Sequence, residues 1–202
     1  MIHLYAFALG LRGLPDITGL EDAPLASQCF GGVTGVVSAS AGGADASVDA
    51  ARHGLVVEAL VDRARAVLPV RFGQRFSSSE ELAALVGTRS SSLLQRLEQL
   101  VDCVEIGVRA RGPEEHPPAA DATGVDYMRR LAARRGVVEE LHRALRARAL
   151  EARASADSVS YLVRRGDVSD FAKEVKRHIV RHPELTIVCT GPWAPYSFAE
   201  AE

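Results

Sequence analysis

Residues 29–40, CFGGVTGVVSAS, decide the fold class. Its three valines and its threonine favour extended backbone and its glycines weaken it, so it reads as a weak β-strand. The chain's first strand, IHLYAFAL at residues 2–9, alternates ring and aliphatic side chains, and the turn-rich segment 10–24, GLRGLPDITGLEDAP, lies between the two, with no helix read there. Two strands that follow one another without a helix are not a parallel β-α-β unit. No glycine-rich turn leads any strand into a helix either, so the predicted class is α+β, with two sheets each covered by helices on one side, rather than a doubly wound parallel sheet.

Composition sets the outer limits. The chain has 202 residues, 47% of them hydrophobic and 25% charged, which is ample for a buried core. A net charge of −2 carries no polycation signal for nucleic acid. No stretch approaches the roughly 18 apolar residues of a membrane span, and MIHLYAFALGLRG has neither a basic leader nor a small-residue cleavage site. A cytoplasmic protein without membrane or nucleic-acid partners is expected. Cys29, Cys103 and Cys189 each sit in an apolar or β-like run and read as buried free thiols.

Working outward from the opening strands, residues 48–66 place Leu55, Ala59, Leu60 and Ala64 at helical spacing, opposite Glu58, Asp62, Arg63 and Arg65. VLPVRFGQRF, 67–76, is a short strand whose Pro69 suits an edge. Ser78 and Glu81 form a capping box ahead of a helix through Leu82, Leu85, Leu93, Leu97 and Leu100, with a break expected near Gly87. Beyond it come a strand at 103–111, a loop at 112–124, a long arginine-rich helix from about Asp126 to Arg153, a strand at 158–165, a helix through Val168, Phe171, Val175 and Ile179, and a last strand, ELTIVCTG. The pattern divides into an N-terminal α+β module, 1–101, and a C-terminal module, 102–202, that is ferredoxin-like in character and carries an aromatic tail at 191–202.

Catalytic chemistry finds no constellation. Of the six histidines only His178 and His182 stand at i, i+4, and no glutamate lies between them as a metalloprotease helix requires; His182 precedes Pro183 and reads as a helix end. Serines lack a G-x-S-x-G elbow, and GGVTG lacks the lysine of a phosphate-binding loop. No catalytic residue, metal or cofactor is expected. His53, in ARHGLVVEAL, reads as a packed or capping histidine. The basic helix is diluted by Glu139, Glu140 and Glu151 and has no interleaved aromatics for base stacking, so it reads as a solvated face.

Three segments in order, LPVRFGQRF at 68–76, YLVRRGDVSDF at 161–171 and TGPWAPYSF at 190–198, resemble the gas vesicle protein F/L family, with its LPxRFG segment, YLV strand and closing GPWPPYSF. HLYAFAL and the histidine of ARHGLVVEAL fit the same pattern, so the resemblance runs over almost the whole chain. Ala194 departs from it, standing where the family tail has proline. The resemblance implies a non-enzymatic assembly factor or minor component of gas vesicles, associated with them in the cytoplasm. Its implied partners are the major gas vesicle shell protein and other gas vesicle accessory proteins. A non-enzymatic regulatory binding module of ferredoxin-like type is the second reading, and an enzyme with a diverged site the third.

The tail, CTGPWAPYSFAEAE, holds the only tryptophan, two of nine prolines, a tyrosine and a phenylalanine. A terminal segment so rich in rings must be tied down by its own core or by a partner. Trp193, Pro195, Tyr196 and Phe198, with Arg71 and Phe72 of the LPVRFG segment, are the candidate partner-binding or tail-docking residues. Packing of Trp193, Tyr196 and Phe198 into the body of the protein is the favoured expectation; Arg71 is expected to pair with a carboxylate or the tail's carbonyls.

Overall fold

The computed structural model describes residues 1–41, 46–111 and 124–199, with side chains given except at 46 and 124–134. The loop read at 112–124 and the side chains at the start of the long helix read from about Asp126 therefore fall wholly or partly outside the described residues. The chain divides into two compact units, Met1–Val104 with the segment from Trp193 onward, and Glu105–Pro192. The sequence reading places that closing segment with the second module. It groups with the first because its own buried residues and hydrogen bonds lie there.

In the first unit, β1 (Ile2–Leu9) pairs antiparallel with β3 (Val33–Ala39) on one side, and with β4 (Ala66–Pro69) and β5 (Arg75–Phe76) on the other. The run read as one weak strand at 29–40 is in fact the bend of a hairpin. β2 (Leu25–Phe30) and β3 are joined by Gly31 and Gly32, at φ 57° and 101°. Both angles are positive, as a two-residue hairpin loop matching the strand twist requires, and glycine reaches them without strain. β4 ends the order β2-β3-β1-β4, which leaves Pro69 on an edge strand where a missing N–H is tolerated.

The register of β1 against β3 shifts between Leu4 and Ala6. This bulge at Tyr5 re-aims the side chains around it. Leu4 and Phe7 line one groove with α2 (Ser79–Gln99), whereas His3 and Tyr5 meet His53 of α1 (Ala46–Val61) on the other side. Helices thus cover both faces of this sheet rather than the one side expected, which explains why β1 is buried from His3 to Ala8. α1 is rotated from the expected phase. Leu55 is 62% exposed, and the buried positions are Asp49, His53, Val56, Val57, Leu60 and Val61. α2 starts as its sequence dictates, with the Ser78 hydroxyl accepting from the Glu81 amide at 3.3 Å and the Glu81 carboxylate accepting from the Ser77 amide at 2.7 Å. It continues unbroken through Gly87.

The second unit runs β6 (Cys103–Arg111), α3 (Gly124–Arg146), β7 (Glu151–Ala154), β8 (Val159–Arg164), α4 (Val168–Arg181) and β9 (Thr186–Trp193), with strand order β7-β8-β6-β9 in an antiparallel sheet. The expected long helix stops at Arg146. Its last residues form β7, which turns back on β8 where the Ser155 amide donates to the Ser158 carbonyl at 2.8 Å. Ile106, Val108, Leu141, Leu145, Tyr161, Phe171 and Val175 make the core. On α4 the inward positions are Phe171, Glu174, Val175 and His178, while Ile179 is exposed. Glu174 is buried between two guanidiniums, accepting from Arg148 at 2.9 Å and Arg177 at 2.6 Å. Burial pushes its carboxyl up, but the two arginines outweigh that and hold it below the ordinary range. Cys103 is buried; Cys29 and Cys189 are exposed, so the expectation of three buried thiols holds for one. Among the described residues no helix is long and apolar enough to cross a membrane.

Candidate functional site

The aromatic tail is fastened to the first unit at both ends. The Ala194 amide donates to both oxygens of Glu58 on α1, at 3.2 and 3.1 Å. Four residues on, the Phe198 carbonyl accepts from Nε of Arg96 on α2 at 2.8 Å, and Arg96 also donates to Gln99 at 2.7 Å. Between these points Pro195 starts a single 3-10 turn at Tyr196–Phe198. Ala194, Pro195 and Phe198 are buried, the last completely. Trp193 is 47% exposed and Tyr196 36%. The rings therefore divide. Phe198 fills the core as expected, whereas the expectation that Trp193 packs inside is corrected, because the tail turns inward only at Ala194.

Alongside the tail lies a groove of about 530 Å³ lined by β1, β4, β5, α2 and the tail itself. Its apolar wall includes Leu4, Phe7, Phe76, Leu85 and Leu93, and Arg71, Arg89, Gln74 and Tyr196 complete it. Burial and the neighbouring Glu58 carboxylate push the Tyr196 hydroxyl's pKa up, so it stays protonated at any working pH. Arg71 and Phe72, adjacent in sequence, serve different places. Arg71 opens on the groove, while the Phe72 ring lies 5.7 Å from His3 and 5.8 Å from His53. A guanidinium bond to a tail carbonyl is made by Arg96, a residue the sequence reading did not single out.

The histidine cluster beneath Phe72 is a hydrogen-bonded chain. Nε2 of His53 lies 2.8 Å from the Val70 carbonyl, which only accepts, so that nitrogen carries the proton. Nδ1 of His53 then accepts from Nε2–H of His3 at 2.9 Å, and Nδ1 of His3 is left as a buried lone pair without a partner. Beside it the Tyr5 hydroxyl accepts from the Leu20 amide at 2.7 Å and lies 2.8 Å from Ser38 Oγ. Burial, then the nearby His53 and Arg75, lower the His3 pKa to about 4, and burial lowers that of His53. Both rings are neutral at physiological pH. They anchor the loop that carries Arg71 and Phe72; His53 is the packed residue that its sequence context suggests. His178 is also buried, with Nδ1 3.1 Å from the Glu174 carbonyl, and Nδ1 of His182 is 3.2 Å from Glu184. Among the described residues no three His, Cys, Asp or Glu side chains group as a metal site.

Sequence reasoning missed Arg96, Glu58, His3 and Tyr5. His3 and Tyr5 carried a signal, two polar side chains inside an otherwise apolar strand; Glu58 and Arg96 looked like ordinary helix charges.

These features define a mixed α+β protein built from two antiparallel sheets, with an aromatic segment latched beside an apolar groove. The family model described as gas vesicle synthesis protein GvpL/GvpF matches residues 1–200, and the chain belongs to that family, whose role is in gas vesicle formation. Gas vesicle protein F2 of Halobacterium salinarum is 31% identical over 162 residues, 77% of this chain and 69% of that protein. Gas vesicle protein F of a Streptomyces species is 29% identical over 168 residues, 67% of this chain and 71% of the relative. The crystal structure of GvpF from Anabaena superposes with a TM-score of 0.82 at 18% identity, covering 100% of this chain and 96% of that one. GvpF from Microcystis aeruginosa gives 0.79 at 17% identity, covering 99% of each chain. At these identities the two structures establish the fold.

Proposed function

We propose that this protein is a gas vesicle assembly factor or minor structural component that binds the major shell protein and other accessory proteins in the cytoplasm, at the forming vesicle. It acts by contact rather than by catalysis. The observation that carries this reading is the apolar groove of the first unit, flanked by a tail that holds Phe198 inside and presents Trp193 and Tyr196 outward. Rigid aromatic anchors beside an apolar cleft are what binding hot spots are made of. The tail's two fastenings fix those rings in advance, so little conformational entropy is lost on docking.

The test is a reconstituted vesicle gene cluster in which this chain is wild type, deleted or Leu85→Asp. Leu85 is 36% exposed, so a carboxylate there stays hydrated in the free protein and should leave the melting temperature within a few degrees. Deletion is expected to abolish or deform vesicles in electron micrographs, and Leu85→Asp to strip the shell protein from pull-downs of this chain by about tenfold or more. Normal vesicles in the deletion, or undiminished recovery of shell protein by the variant, would overturn the reading.

A further inference from the structure

We propose that His178 and His182 form a two-histidine site for a divalent transition-metal ion in the second unit, a reading that does not depend on where partner proteins dock. The two stand at i, i+4 at the end of α4, where the His182 amide still donates to the His178 carbonyl at 2.9 Å, so the helix sets both rings on one face. Their centroids are 6.2 Å apart and their planes 28° from parallel. The tautomers follow from what each Nδ1 meets. Nδ1 of His178 lies 3.1 Å from the Glu174 backbone carbonyl and 3.6 Å from the Glu174 carboxylate, and Nδ1 of His182 lies 3.2 Å from the Glu184 carboxylate. Carbonyls and carboxylates only accept, so both Nδ1 atoms carry the proton and both Nε2 atoms present a lone pair. Neither lone pair has a hydrogen-bond donor, and both Nε2 atoms are buried.

A buried ring nitrogen without a partner is uncommon, and two on adjacent turns of one helix call for a common explanation. Imidazole suits zinc, copper(II) and nickel(II), and a ligating histidine gives its other N–H to a carboxylate or backbone carbonyl, which fixes the ring and raises its basicity. Both rings have that backing. At Glu174 the two oxygens divide the work: Oε2 takes the guanidiniums of Arg148 and Arg177, and Oε1 faces His178. An ion about 2.1 Å from each Nε2 in tetrahedral geometry sets the ring centroids roughly 5 Å apart, so the rings close by about 1 Å on binding. His182 has the freedom to do so, because it lies past the last helical residue. Two protein donors leave coordination positions open, so the ion exchanges, unlike one in a closed four-ligand structural site. The glutamate missing between the two histidines is a general base in metalloproteases and not a ligand, so its absence bears on hydrolysis and not on binding.

The experiment titrates the full chain, carrying no affinity tag, with zinc chloride alone in a calorimeter. Wild type is expected to bind one ion per chain, and His178→Gln and His182→Gln to bind it at least about tenfold more weakly. His182 is the more exposed of the two, at 15% of its side chain against 3%, so its variant decides the matter if His178→Gln does not fold. His3→Gln, which removes another buried ring nitrogen without a partner, should bind zinc as wild type does. Saturating zinc should also raise the melting temperature of wild type and leave that of His182→Gln unmoved. Absence of saturable binding by wild type would make a water the bridge between the two lone pairs and overturn the inference. Zinc affinity unchanged in His182→Gln, or an equal loss in His3→Gln, overturns it as well.

Discussion

Phe198→Ala is expected to lower the stability of the first unit by about 3–5 kcal/mol. Phe198 has no solvent exposure, ends the GPWAPYSF segment, and through its carbonyl makes the tail's fastening to Arg96. Truncating it removes a whole ring from a closed site, and both latching hydrogen bonds involve backbone atoms that alanine keeps, so the tail cannot simply follow the missing ring into water. At roughly 3 °C per kcal/mol for a chain of this size, the melting temperature should fall by about 10–15 °C. A shift of only two or three degrees in calorimetry would mean that the tail is not part of the core. Trp193→Ala, which removes nine ring atoms from a half-exposed side chain, should cost far less than Phe198→Ala.

Acid is expected to remove a comparable amount. A histidine whose folded pKa is about 4 and whose ordinary value is 6.5 binds its proton more readily in the unfolded chain, so the unfolded state gains protons first as pH falls. The stability contributed by keeping His3 neutral is complete above about pH 6.5 and is lost progressively down to about pH 4. At ~1.4 kcal/mol for each tenfold change in proton affinity this is roughly 3 kcal/mol. His53 is shifted in the same direction and adds to it. The carboxylate of Glu174 acts in a lower window, since its pKa is depressed and its contribution is lost only below the ordinary carboxylate range. Denaturant midpoints measured between pH 7 and 4 should therefore slope steeply in wild type and less in His3→Gln, which keeps a donor towards Nδ1 of His53 but cannot titrate. Equal slopes in the two proteins would contradict the neutral-histidine chain.

Much of this was legible where local chemistry dominates. The α+β class followed from two strands met in sequence without a helix, and the Ser78–Glu81 box set the start of α2. The tail's rings announced a docked segment, though not which ring docks: that depends on Ala194, where the amide finds Glu58, a long-range partner no spacing reveals. The Gly31-Gly32 turn was a readable hairpin signal absorbed into a single strand, because the valines around it continue the β pattern on both sides. β7 was hidden differently. RALRARALEARA has the composition of a helix throughout, and only pairing with β8 makes its last residues a strand, which is tertiary context overriding propensity. The phase of α1 failed for a physical reason too. Its inward face carries Asp49 and His53, so a search for apolar periodicity rotates the helix toward Leu55 and away from the histidine chain.

The claim that a partner docks on the tail and groove of the first unit is tested most directly by the emission of Trp193, the only tryptophan, in the purified chain before and after addition of the shell protein. Its 47% exposure predicts a red-shifted, quencher-accessible emission in the free protein, and docking on the tail predicts a blue shift and protection once the shell protein is bound. An emission already blue and protected in the free chain, or one that stays red and quenchable with the shell protein bound, would contradict it.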